Sequence, residues 1–279
     1  MRRNLFLAFV IFFGFCMISG CKKKTKAPDS YPRKQASYNS QATLAPTSPK
    51  AKDPQTRKAV IVSESLRRQL LNRDKNRVLL NADYNYPQIE NLGGLESIEL
   101  INQEIKEVAE KEFEKNYKDV EAFAIEFDLV PMEPGRPSSM LPLVSEQTFE
   151  VKYNDDYLVS VFVTTFNHFG GAHPDTTYSS YTYDVRSGEK LTAAYFLPDR
   201  KTEEEVKQYV AEVFYTVYNK DKESFYPDTG EILTEGRFTY GYYITKEDIV
   251  FYINPYEIAP YAAGLQEVKV PREATIEGR

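Results

Sequence analysis

Over residues 149–165 the hydrophobic period of this chain is two. Phe149, Val151 and Tyr153 alternate with polar residues, Asn154-Asp155-Asp156 interrupts, and Tyr157, Val159, Val161, Val163 and Thr165 alternate again. Successive side chains of a strand point to opposite faces, so this spacing predicts a β-hairpin with one buried face. A third strand is expected over 177–185, with Tyr178, Ser180, Thr182 and Asp184 on one face and Ser179, Tyr181 and Tyr183 on the other. Three more are expected at 238–244, 249–253 and 265–270.

Elsewhere the period lengthens. Ile98, Ile101, Ile105, Val108 and Phe113 fall at near-heptad spacing among Glu and Lys, which predicts an amphipathic helix over 95–117 lying on a sheet. Val206, Tyr209, Val210, Val213 and Val217 predict another over 203–218. Between residues 60 and 84 two strands are expected around a turn at Asn72-Arg73-Asp74-Lys75-Asn76, with Pro87 closing that unit. Strands and helices come in blocks rather than in alternating βαβ units. The expected fold class is therefore α+β, with antiparallel sheets and packed amphipathic helices. Pro131, Pro134, Gly135, Pro137 and Pro142 place a boundary between an N-terminal lobe, 59–142, and a C-terminal lobe, 143–279.

The N-terminal part of the sequence is read differently. Arg2 and Arg3 precede an apolar run of fourteen residues, Leu5 to Ile18, too short for a bilayer span of roughly 20 residues but right for a signal peptide. It ends at Ile18-Ser19-Gly20-Cys21, which resembles the bacterial lipobox, so residues 1–20 are expected to be cleaved and Cys21 to carry lipid, palmitate included. Residues 21–58, rich in Pro, Ser and Lys, read as a tether. The signal segment contributes +2 and the tether +8 to a chain whose net charge is -6, which leaves -16 on residues 59–279. A basic stalk thus carries an acidic body. The expected location is the cell envelope, lipid-anchored on the extracytoplasmic side of a bacterial membrane.

Charge and composition exclude several classes. With 42% hydrophobic and 27% charged residues the chain is neither wholly disordered nor a polytopic membrane protein. An acidic body disfavours nucleic acid, whose phosphates need a basic face. Two Cys and two His leave little for a thiolate zinc site or a disulfide framework. The two His lie in Asn167-His168-Phe169-Gly170-Gly171-Ala172-His173-Pro174-Asp175, five residues apart across Gly-Gly, a spacing that suits neither helix nor strand ligation. The reading is structural: no metal, no cofactor, Gly170 and Gly171 at positive φ, and His173 bonded to its own loop. No Gly-x-Ser-x-Gly elbow or phosphate-cradling loop occurs, and no carboxylate pair stands out, so no catalytic residue is assigned. A second segment, Asn254 to Gly264, holds Tyr256 and Tyr261 between Pro255 and Pro260, and its rings are either tucked under the sheet or offered to a partner.

The combination of Phe169-Gly170-Gly171-Ala172-His173 with Pro255-Tyr256-Glu257-Ile258-Ala259-Pro260-Tyr261-Ala262-Ala263-Gly264 resembles the paired domains of unknown function in RsiV-like lysozyme-sensing anti-sigma factors. It is similar in part to the region ahead of the deacetylase in PdaC-like proteins. The resemblance implies an α+β extracytoplasmic module and, for sensor members, binding of lysozyme. Here a lipobox stands where those sensors have a membrane-spanning helix and a sigma-binding segment, and His168 and His173 lack the spacing of the deacetylase metal site. The expectation is a lipid-anchored, non-catalytic binding module for lysozyme-like cationic muramidases or peptidoglycan fragments, contacting partners through Gly170, Gly171, His173, Tyr256 and Tyr261. A glycan-acting wall enzyme and a scaffold of an envelope assembly remain the alternatives.

Overall fold

The computed structural model describes residues 58–92, 95–129, 141–171, 173–197 and 199–272. The signal segment, Cys21, nearly all of the tether and the prolines from Pro131 to Pro137 lie outside the described residues. Among those described, no helix is long and apolar enough to cross a membrane.

Among the described residues, two sheets and three α-helices make up the body. In chain order these are β1 (Ile61–Leu71), β2 (Val78–Ile89), α1 (Glu96–Leu129), β3 (Leu143–Asn154), β4 (Leu158–His168), β5 (Asp175–Asp184), α2 (Glu203–Lys220), α3 (Thr229–Thr234), β6 (Gly241–Ile244), β7 (Asp248–Ile253) and β8 (Gln266–Pro271). The first five strands form one sheet in the order β1-β2-β3-β4-β5, and the last three form a second, β6-β7-β8. The α+β class holds.

Strands with period two sit where the spacing places them. In the β3–β4 turn the Asp155 carboxylate accepts from the backbone N–H of Tyr157 and of Leu158, at 2.8 and 2.7 Å, and so closes the hairpin. β4 is buried on both sides. Val159, Val161 and Val163 face α1, and Phe162 faces Tyr243, Val250 and Tyr252 of the second sheet. On its outer face that second sheet turns Ile244, Ile249, Phe251 and Ile253 onto Val206, Val210 and Phe214 of α2. The body is thus layered as α1, five-stranded sheet, three-stranded sheet, α2. Thr202 opens α2 with a capping box: its hydroxyl accepts from Glu205 N at 3.2 Å while Glu205 accepts from Thr202 N at 3.0 Å.

Several expectations are corrected. β2 runs through Pro87, which pairs with Ser63, and does not stop before it. The β2–β3 pairing ends at Tyr84, so from Asn85 onward β2 has an open side where a missing N–H is tolerated. Val108 is 46% exposed, and Ala109 takes its place in the buried stripe because a helix of 3.6 residues per turn drifts off a heptad. One βαβ unit does exist, since β2 and β3 pair in parallel across α1. Strands on both sides of position 142 therefore share one sheet, and the change of sheet comes after β5. Finally, the 238–244 strand is shorter, beginning at Gly241.

Candidate functional site

The 254–264 segment is pinned from below. Ile258 and Ala259 are buried against α2 and α3, and the Ile258 carbonyl accepts from Thr229 Oγ1 at 2.6 Å and from Tyr226 N at 3.1 Å. Glu257 accepts from the Thr239 backbone N–H at 2.6 Å. With its centre held, the segment lifts its two tyrosines to the surface. Tyr256 sits at φ 70, a left-handed conformation that costs a bulky residue energy, and it keeps that turn through a 3.0 Å bond from its N–H to the Ala259 carbonyl. Its side chain is consequently turned outward, and the residue is 48% exposed.

His173 arrives from the turn between β4 and β5. Gly170 has φ +80, and a Cβ there would lie 2.6 Å from Cε2 of Phe127 on α1, so both backbone and packing require glycine. Gly171 is not at positive φ, and a Cβ there would meet only the His173 carbonyl, at 3.9 Å, which corrects the expectation for that residue. Phe169 packs edge-on against Phe123, ring centroids 5.1 Å apart, and fixes the turn to α1.

These two segments bring three of the sequence-assigned residues together. The His173 ring stacks on Tyr261 with centroids 4.6 Å apart and planes 13° from parallel. Tyr256 and Tyr261 stack at 5.8 Å and 28°. The Pro174 carbonyl can only accept, so Nδ1 of His173 carries the proton in that 3.0 Å contact, and Nε2 accepts from the Tyr256 O–H at 3.3 Å. Partial desolvation raises the Tyr256 phenol above its ordinary range, with Tyr226, Asp175 and Tyr261 adding to it. Thr176, on β5, meets the Tyr261 hydroxyl at 3.1 Å. Gly170 and Gly171 shape the turn and do not enter the aromatic face. Thr176 was missed by sequence reasoning, although it lies three residues beyond His173.

Both imidazole nitrogens of His173 are thus committed, and His168 ends β4 opposite Val144, half-buried. Among the described residues no three His, Cys, Asp or Glu side chains converge. The arrangement offers stacked aromatic faces, flanked by Asp175, to a planar or cationic group. The larger hollows lie elsewhere. One of about 520 Å³ runs between β5 and β6, and one of about 670 Å³ between α2 and α3 is lined by side chains of mixed charge without convergence.

Comparison with known proteins places both segments. Residues 73–176 match the family described as Deacetylase PdaC, and residues 195–273 match the protein family of unknown function DUF3298. The structure of a DUF3298 family member from Bacteroides fragilis is similar at a TM-score of 0.54 and 17% identity, over 79% of this chain and 92% of that one. A DUF3298 family protein from Pseudomonas aeruginosa gives a TM-score of 0.45 at 16% identity, over 76% of this chain and 91% of that one. No curated protein matches this chain. His173 belongs to the first matched region and Tyr256 and Tyr261 to the second, so the aromatic face is assembled from both. The chain carries a PdaC domain and a DUF3298 domain in tandem, the paired arrangement that its two motifs resemble.

Proposed function

We propose that this chain is a lipid-anchored, extracytoplasmic binding module that captures a cationic protein of the lysozyme kind. One observation carries the reading: His173, Tyr256 and Tyr261 form a stacked aromatic face at the surface, held there by backbone that pins the segment between them. Tyrosine rings bind guanidinium and ammonium groups through their negative faces, and they lose little conformational entropy on contact. The charge of -16 on residues 59–279 steers a basic partner toward that face and raises the rate of encounter. The tandem of PdaC and DUF3298 domains supports an envelope location, and the lipobox at Cys21 supports the anchor. Peptidoglycan fragments are the second ligand class, favoured by the same exposed rings.

Surface-immobilised protein tests the proposal. It should bind lysozyme at low salt more tightly than an inert protein of equal size and charge. Equal binding of the two would reduce the effect to charge attraction and end the proposal.

A further inference from the structure

β5 is the outer strand of its sheet, so every second residue turns its backbone N–H and C=O away from β4. Two contacts fix which residues these are. The Tyr178 N–H donates to Asn254 Oδ1 at 2.7 Å and the Tyr178 carbonyl accepts from Asn254 Nδ2 at 3.1 Å. The Thr182 carbonyl accepts from Leu191 N at 2.8 Å. The β4–β5 register carries no bulge, so Ser180, midway between them, faces the same way. Its side chain is engaged elsewhere: Oγ donates to the Tyr242 carbonyl and accepts from the Tyr252 hydroxyl at 2.9 Å. Its backbone N–H and C=O meet no partner among the described residues. Thr176 faces outward too, but at the aromatic face and outside the hollow.

The Ser180 position opens into the hollow of about 520 Å³ between β5 and β6, whose walls include Tyr240, Tyr242, Lys190 and Glu203. Filled positions flank it about 7 Å away on either side along the strand. A continuous added strand is therefore blocked by the Asn254 side chain on one side and the Leu191 backbone on the other. What fits is a single unit with one donor and one acceptor side by side. Asn254 demonstrates the chemistry at the adjacent position, where one primary carboxamide satisfies both backbone groups of Tyr178.

We propose that the Ser180 backbone is a recognition site for a peptide ligand, which it holds through one side-chain carboxamide or one extended main-chain residue. The site is separate from the aromatic face and does not rest on lysozyme binding. A carboxylate of the same shape fails here, because it has no donor for the Ser180 carbonyl and leaves that group unpaired.

The full-length chain in detergent micelles, labelled with 15N-serine, reads the site directly. A Ser180→Thr variant identifies the Ser180 amide signal. The probes are L-glutamine, its near-isostere L-glutamate, and an alanine dipeptide blocked at both ends, which offers main chain alone. The Ser180 amide should move downfield with glutamine, with the blocked peptide, or with both; the first alone assigns a side-chain carboxamide, the second a main-chain residue. Glutamate should bind about tenfold more weakly or less, the effect of one lost hydrogen bond and its stranded partner. An unmoved Ser180 amide with every probe would overturn the proposal, as would glutamine and glutamate moving it equally while the blocked peptide leaves it unmoved.

Discussion

The imidazole of His173 lies flat against the ring of Tyr261, 4.6 Å between centroids, and the two residues come from connections within different sheets, His173 between β4 and β5 and Tyr261 between β7 and β8. Neither can be reoriented without moving the other, and Tyr256 closes the group by its bond to Nε2. If this is the contact surface, Tyr256→Ala and Tyr261→Ala should each raise the dissociation rate of lysozyme, with about 2 kcal/mol lost at a hot spot. Surface plasmon resonance measures the rate, and circular dichroism should show unchanged cooperative unfolding. Unchanged dissociation in both variants would move the contact surface elsewhere.

Much of the scaffold was legible in the spacing of apolar residues. The β3–β4–β5 meander announces itself by period two and by Asp155 at its turn, because those signals are local. Pairing of β2 with β3 was not legible, since nothing in the composition of α1 says where the chain goes after it. The site was half legible. Tyr256, Tyr261 and His173 were singled out, but their stacking joins segments remote in sequence, and the left-handed φ of Tyr256 has no signature in a residue of that type.

The two glycines of the β4–β5 turn should respond unequally to alanine. Gly170→Ala forces a left-handed L-residue and a Cβ contact of 2.6 Å with Phe127, so a loss of about 1–3 kcal/mol is expected. Gly171→Ala meets only the His173 carbonyl at 3.9 Å and should change stability by less than about 0.5 kcal/mol. Urea titration of both variants measures the difference, and equal losses would mean the turn is held some other way.

Alkaline unfolding should be steep. Burial pushes the Tyr252 phenol up to about 12, and Tyr181, Tyr183 and Tyr242 are raised further by the same cause. A phenol whose value rises on folding stabilises the fold fully below the unfolded value, near pH 10, and that contribution is lost as pH climbs through the folded value. Phenolate absorbance and loss of ellipticity should therefore rise together between about pH 10 and 12. Full ionisation of the tyrosines with the fold intact would contradict this.

The proposal that Cys21 carries lipid makes its own prediction. Cys21→Ser should abolish incorporation of labelled palmitate and shift the protein from the detergent phase to the aqueous phase on temperature-induced separation. Retained label in the variant would place the lipid elsewhere.

The parallel seam between β2 and β3 sets the order in which this body assembles. The β1–β2 hairpin and the β3–β4–β5 meander each join neighbours in the chain, so their closure is entropically cheap. Leu80 can meet Leu143 only after the whole of α1 has been traversed, and loops of that length close slowly. A helix of 34 residues, about 50 Å long at 1.5 Å per residue, replaces a random search with a rigid return path. Folding speed should thus depend on how early α1 forms, and a glycine introduced on its exposed side would retard assembly more than it hastens unfolding.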